Sequence, residues 1–199
     1  MDKHTLYPLQ FVPIFEYRLW GGRNLSEIMH AELPGNDPIG EAWLLSDRQD
    51  HTSKVANGSF TGWSIRQLID KFPEQLMGKF AGQFDKFPLL LKFLDAQKML
   101  SVQVHPSDAH KELLPAGENG KTEAWVVLNS SAGSLIYAGL NPGTTATNLQ
   151  ESIAEGTVEK HLASFHPNTG DAVLIPSGTV HTLGRGVVVF ESLYRETAM

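Results

Sequence analysis

The sequence contains no cysteine among its 199 residues. A scaffold stapled by disulfide bonds is therefore excluded, and any metal ion must be bound by nitrogen or oxygen donors. Lysine and arginine together number 16 against 22 acidic residues, and they form no basic stripe. We therefore expect neither nucleic acid nor a membrane among the partners of this protein.

Long apolar runs are also missing. The longest runs, 87–91 and 186–190, are much too short to cross a bilayer. The first ten residues contain no apolar core of the length that a secretory signal peptide needs. We therefore expect a cytoplasmic protein, and the chain is long enough for one domain with a sizeable core.

Short apolar segments do recur, and turns rich in glycine, proline and asparagine separate them, as is typical of antiparallel β structure. Between 172 and 191 no room is left for helices, so the strands there should pair as hairpins. The pattern predicts a mainly β barrel or sandwich with inserted α-helices. The predicted strands are 41–46, 88–96, 99–105, 123–128, 134–138, 172–175, 180–183 and 187–191.

Helical patterns interrupt these strands at three places. In the first, apolar residues recur at helical spacing from Ile65 to Phe72. In the third, at 145–162, Gly156 is a point at which the helix could be split in two. We expect one domain over 1–199 with helical insertions near 64–82, 107–116 and 145–162.

Residues 101–106 read SVQVHP. Residues two apart on a strand share a face, so Gln103 and His105 should project together, with Ser101 beside them. An inward-facing amide and imidazole need polar partners, and a metal ion is one such partner. A solvated strand face is the alternative interpretation.

Two further segments add charged or imidazole groups. In GKTEAW, residues 120–125, Lys121 and Glu123 share a strand face, and a surface ion pair of little energetic weight is the alternative. In IPSGTVHTLG, residues 175–184, a turn precedes His181 at the start of a strand. This arrangement recurs in β-barrels, where it places one histidine at the pocket. An ordinary hairpin with an exposed histidine would have the same sequence pattern and is the alternative interpretation.

Together these segments offer two imidazoles, a carboxylate and an amide on three strands of a predicted barrel. Such donors suit Zn²⁺, and Fe²⁺, Mn²⁺ and Ni²⁺ remain open by ligand type. The remaining histidines lack comparable neighbours in the sequence, and we interpret them as surface or core residues. They are His4, His30, His51, His110, His161 and His166.

In this order, SVQVHP, GKTEAW and IPSGTVHTLG resemble the motifs of type I mannose-6-phosphate isomerases, particularly of their shorter bacterial branch. RLWGG at 18–22, GEAW at 40–43 and FPLLLKFLD at 87–95 resemble further signatures of that branch. The resemblance implies a cupin barrel and the interconversion of mannose 6-phosphate and fructose 6-phosphate through an enediol. It also implies one Zn²⁺ per chain, bound by Gln103, His105, Glu123 and His181.

The resemblance further implies roles for residues around the metal. Lys121 is a candidate catalytic residue, with a metal-activated water as the competing base. Arg195 is a candidate for the family's catalytic arginine: the pair Tyr194-Arg195 either mimics the family pair after a deletion or coincides with it by chance. Ser101, Arg18 and Glu41 are candidates for binding the substrate, a small sugar phosphate. We expect a monomer or a homodimer.

The end of the sequence departs from the family pattern. In the family, the strand that corresponds to 186–191 continues to a Tyr-Arg pair and then to a further β-rich stretch, whereas here Tyr194 and Arg195 lie close to Met199. We therefore expect the family's C-terminal β region to be absent. A truncated, catalytically impaired cupin that binds a metal or a sugar phosphate is thus an alternative, and an Fe²⁺-dependent cupin oxygenase is another.

Overall fold

A computed structural model describes residues 5–114 and 120–195, apart from the side chains of Lys111 and Arg195. Its α-helices are α1 (Leu25–Met29), α2 (Ile65–Lys71), α3 (Pro73–Met77) and α4 (Ala146–Glu155). Its strands are β1 (Ile14–Gly22), β2 (Ile39–Leu45), β3 (Asp47–Arg48), β4 (His51–Thr52), β5 (Leu89–Ala96), β6 (Lys121–Ser130), β7 (Ile136–Leu140), β8 (Leu162–Phe165), β9 (Ala172–Ile175), β10 (His181–Leu183) and β11 (Val187–Arg195).

The strands form antiparallel sheets, as the sequence predicts. The largest sheet has the order β1-β2-β5-β11-β6-β9, and a smaller one has the order β10-β7-β8. Strand β11 lies between β5 and β6 and pairs with both along its length, so that Glu191 faces Lys92 on one side and Trp125 on the other. This register sets side chains of three strands in one row across the sheet.

The main core lies between the large and the small sheet. Along β6 the burial alternates, with Glu123, Trp125 and Val127 pointing inward and Ala124 and Val126 outward. That alternation is the period of a strand with one covered face. The buried residues of this core are Leu94, Ala96, Trp125, Val127, Ile136, Ile175, Leu183, Val187 and Val189.

Short helices pack against two further apolar clusters beside the large sheet. Helix α2 begins with a capping box in which Ser64 and Gln67 satisfy each other's backbone N–H groups, and α4 begins with the same device at Thr145 and Asn148. Helix α4 ends at Gly156, whose φ of 69° suits glycine. Shorter 3₁₀ turns occupy Gly58–Phe60, Gly78–Phe80, Asp108–Leu113 and Val158–His161. Each helix in the described part of the chain is too short or too polar to cross a membrane.

One predicted strand is wrong. Residues 99–105 are extended but form no regular strand; Gln103 makes a single bridge with His181. Strand β10 has three residues, which is too few to support a ladder along the whole segment. The apolar alternation is present in the sequence, yet Val104 remains 56% exposed, because no sheet covers that face.

The packing of the large sheet yields a test. Val189 on β11 is fully buried in the main core, whereas Val126 on the neighbouring strand is 38% exposed. Val189→Ala should lower the free energy of unfolding by about 2 kcal/mol, since it removes two buried methyl groups and leaves a cavity. Val126→Ala should cost less than about 1 kcal/mol in the same denaturant titration. Equal losses would contradict the position of the core, because the change in β propensity is common to both variants.

Candidate metal centre

Three potential metal ligands meet inside the barrel. One donor atom from each of His105, Glu123 and His181 lies within 4.8 Å of the others. His105 Nε2 is 3.1 Å from Glu123 Oε1, and His181 Nε2 is 3.6 Å from Glu123 Oε2. Residues that are far apart in the sequence thus present two nitrogens and a carboxylate to one point.

Backbone pairing brings the two histidines together. Gln103 and His181 exchange two backbone hydrogen bonds, of 2.9 and 2.8 Å, and the N–H of Gly178 donates to the carbonyl of His105 at 2.7 Å. The imidazole rings of His105 and His181 consequently lie 5.2 Å apart, centre to centre. The turn before β10 therefore sets the spacing of the pair.

The hydrogen bonds of His181 suit a metal ligand. Its Nδ1 lies 2.8 Å from the carbonyl oxygen of Thr179, which can only accept, so Nδ1 carries the proton and Nε2 has the free lone pair. Burial lowers the pKa of His181, although the bond to Thr179 and the charge of Glu123 oppose that shift. The neutral imidazole, which is the form that binds metals, is thus favoured.

Glu123 is a buried carboxylate whose charge is compensated. Burial alone would raise its pKa, but the hydrogen bond from His105 and the charge of Lys121 outweigh burial and hold the pKa well below its usual range. Lys121 Nζ lies 2.5 Å from Glu123 Oε1 and 3.2 Å from His105 Nε2. The carboxylate is therefore ionised, which is again the metal-binding form.

The cluster borders a cavity of about 160 Å³ in the barrel interior. Glu123, His181 and Lys121 line it, and a larger cavity of about 360 Å³ reaches Lys121 and His105 from the other side. Each residue that the sequence nominates for substrate binding also lines the inner cavity. These residues are Arg18, Glu41 and Ser101.

Two nominated residues remain, the proposed metal ligand Gln103 and the candidate catalytic residue Arg195. Gln103 lines the inner cavity, and its amide nitrogen donates to the Ser101 hydroxyl at 2.9 Å. The side chain of Arg195 lies outside the described residues, while its backbone ends β11. Three of the four nominated ligands therefore converge, with the fourth on the same cavity wall.

A buried ionic row extends from this cavity, and two of its members, Lys92 and Glu191, are not among the residues that the sequence nominates. Lys92 Nζ lies 2.8 Å from Glu191 Oε2 and 3.5 Å from Glu41 Oε1, and Arg18 contacts Glu41 at 3.2 Å. A signal for two members was present in the sequence. Lys92 stands alone in the apolar run LLLKFL, and Glu191 follows the apolar run VVVF, so both interrupt buried strands.

Pairing opposes the effect of burial on the charges of this row. Burial opposes ionisation of Lys92, but Glu191 and Glu41 raise its pKa. Burial likewise opposes ionisation of Glu41, yet Lys92, the Trp43 indole and Arg18 lower its pKa. For Glu191, burial dominates and raises the pKa despite Lys92. Lys92 is thus the cation on which two buried carboxylates depend.

The chain is similar to known proteins of one family. Residues 9–131 match the family model described as phosphomannose isomerase type I, catalytic domain. The chain is 37% identical over 188 residues to mannose-6-phosphate isomerase ManA of Bacillus subtilis (strain 168), a match that covers 94% of this chain and 58% of that protein. It is also 35% identical over 175 residues to a mannose-6-phosphate isomerase of Streptococcus mutans, and this match covers 88% of this chain and 54% of that protein.

A solved structure shows the same architecture. The crystal structure of the mannose 6-phosphate isomerase from B. subtilis matches with a TM-score of 0.85 at 32% identity, over 97% of this chain and 60% of that one. The fold and the cluster thus define a cupin-type barrel with a candidate metal centre, and the predicted fold class is confirmed. The chain belongs to the type I phosphomannose isomerase family. It spans less than two thirds of the length of these relatives.

The ionic row yields a stability prediction. Lys92→Met should lower the free energy of unfolding by about 3–5 kcal/mol, because two buried carboxylates lose their shared cation. Lys98→Met, at an exposed lysine close in sequence, should change it by less than about 0.5 kcal/mol. Denaturant unfolding in the presence of a chelator measures both without a contribution from bound metal. A loss for Lys92→Met no larger than that for the control would show that the row contributes nothing to stability.

Proposed function

We propose that this chain carries the metal-dependent centre of an aldose–ketose isomerase that interconverts mannose 6-phosphate and fructose 6-phosphate through an enediol. The observation that carries the proposal is the convergence of His105, Glu123 and His181 at a cavity lined by further ionic and hydroxyl groups. Membership of the family and the names of the relatives support the same reaction.

The proposed cofactor is one Zn²⁺ per chain. His105, Glu123 and His181 would hold it, with the amide of Gln103 as a fourth donor. Two imidazoles and a carboxylate fit the ligand set of catalytic zinc sites, which keep a position open for water or substrate. When bound, the ion supplies Lewis acidity that stabilises negative charge on the sugar oxygens, worth several kcal/mol.

Lys121 is the proposed catalytic residue of the described chain. Its Nζ contacts both Glu123 and His105 and lines both cavities, so it lies beside a sugar bound there. As the neutral amine it would take the proton from one sugar carbon, and as the resulting ammonium it would return the proton to the neighbouring carbon. Moving a proton between C1 and C2 of the sugar requires such a group within hydrogen-bond reach of the reacting carbons. We also propose that Arg195 serves the reaction, as the resemblance implies.

Binding of the sugar phosphate is assigned to the walls of the inner cavity. The Ser101 hydroxyl and the Arg18 guanidinium are suitable donors to phosphate. Arg18 is oriented by Glu16 and Glu41, each 3.2 Å away, and its side chain is 35% exposed. Glu41 accepts a hydrogen bond from the Trp43 indole at 2.6 Å, so its carboxylate is fixed to receive sugar hydroxyls or to hold Arg18.

One sample can test the proposal. The purified protein is loaded with Zn²⁺, its metal content is measured, and conversion of mannose 6-phosphate to fructose 6-phosphate is followed in a coupled assay with and without chelator. We expect turnover that requires bound metal. Folded, zinc-loaded protein without turnover would refute the isomerase and leave a protein that binds a metal or a sugar phosphate.

The ligand set makes a sharper prediction. His105→Ala and His181→Ala should each remove most of the bound zinc and the turnover with it, because each deletes one of three convergent donors. His161→Ala, at a histidine outside the cluster, should retain both. Metal analysis of the dialysed proteins provides the measurement, and stoichiometric zinc in either of the first two variants would disprove the site.

Lys121 can be separated from the metal by a second substitution. Lys121→Met removes the ammonium but none of the proposed ligands, so we expect kcat to fall by about 10²- to 10⁴-fold while zinc is retained. Lys160→Met, at an exposed lysine, should leave kcat unchanged. A variant that keeps zinc and full turnover without Lys121 would exclude it as the group that transfers the proton.

A further inference from the structure

The sequence Glu-Ala-Trp occurs twice on the large sheet, at 41–43 on β2 and at 123–125 on β6. In each copy the glutamate and the tryptophan share a strand face, since they are two residues apart. In each copy the indole N–H donates to the glutamate two residues before it, at 2.6 Å from Trp43 to Glu41 and at 3.2 Å from Trp125 to Glu123. The repeated segment is thus a device that holds a buried carboxylate by an indole.

The two copies differ in what surrounds the indole. Trp43 packs beside Arg48 and His51 and in a buried cluster with Leu90 and Leu193. Trp125 shares its N–H between Glu123 and Glu191 Oε1, the latter at 2.9 Å. Its ring also packs edge-on against His181, with centroids 5.5 Å apart and planes at 74°. Trp125 therefore touches two of the three convergent donors.

The position of Trp125 has an electrostatic consequence. Glu123 and Glu191 are both buried and lie on paired strands, so two carboxyl groups come close together in a dry interior, where each needs a hydrogen-bond donor. The indole N–H supplies that donor on the Oε2 side of Glu123. Glu123 Oε1 is consequently directed at His105 and Lys121. The indole N–H on Oε2, opposite the contacts of Oε1, is thus one of the groups that fix the rotation of the carboxylate about its last bond.

We propose that Trp125 is a positioning residue of the metal centre: its N–H orients the Glu123 carboxylate, and its ring holds the His181 imidazole. This inference rests on the metal site of the proposed function. Groups that orient metal ligands from behind typically contribute about 10- to 100-fold to metal affinity. Both Glu-Ala-Trp segments hold a buried carboxylate by an indole, but only the segment at 123–125 contains a proposed metal ligand. Trp125 alone is therefore assigned the positioning role.

The two copies supply a matched pair of variants. Trp125→Phe removes the N–H and keeps an aromatic ring, and Trp43→Phe makes the same change where the carboxylate is not a proposed ligand. Zinc dissociation constants are measured by competition with a chromophoric chelator, and the visible spectrum of the Co²⁺-substituted protein reports the coordination geometry. We expect Trp125→Phe to raise the dissociation constant by about 10- to 100-fold and to alter the Co²⁺ spectrum. Trp43→Phe should change neither.

The outcomes separate the two levels of the proposal. A wild-type protein that binds no zinc would overturn the metal site itself. Wild-type binding together with an unchanged or tighter constant in Trp125→Phe would overturn the role of Trp125 and leave the site intact. Should Trp125→Phe fail to fold, 3-benzothienylalanine at position 125 retains the bicyclic shape and lacks only the N–H, so an unchanged affinity in that protein would likewise overturn the role.

Discussion

The candidate centre depends on one physical constraint, which is that the charge of Glu123 must be compensated inside the barrel. An ionised carboxylate cannot be buried without partners, because the loss of hydration costs several kcal/mol. Here the ammonium of Lys121 and the imidazole of His105 face one oxygen, and the indole of Trp125 faces the other. The groups that make burial of Glu123 tolerable are thus also groups of the proposed metal centre, so the same contacts serve the candidate site and the stability of the strand.

Compensation of buried charge continues across the large sheet, because the antiparallel register places residues of neighbouring strands opposite one another. Glu191 lies opposite both Lys92 and Trp125, and Lys92 reaches Glu41, which in turn contacts Arg18. Each buried charge in this row is paired with one of opposite sign on the next strand. Apolar residues of similar size would pack at least as stably. The retention of charges at the wall of a cavity therefore favours a binding role over a purely structural one.

Much of this arrangement could be predicted from the sequence. The strand at 123–128, the turn before His181 and the order of the motifs follow from local patterns, and they suffice to nominate His105, Glu123 and His181. Lys92, Glu191 and Trp125 could not be nominated in the same way, since their roles arise from pairing between strands that lie up to 99 positions apart. The regular strand expected at 99–105 is wrong for a related reason: alternation describes one chain, but a ladder requires a neighbour of equal length.

The bridge between Gln103 and His181 shows how little regular structure such a site needs. Two backbone hydrogen bonds fix the register of an otherwise irregular segment against a three-residue strand. Because strand side chains alternate, a slip of one residue would turn His105 to the opposite face and leave Glu123 with one imidazole partner fewer. The carboxylate in turn favours the correct register, since only that register supplies His105 as a donor. Local pairing and buried charge therefore stabilise each other, and the position of the histidines follows from both.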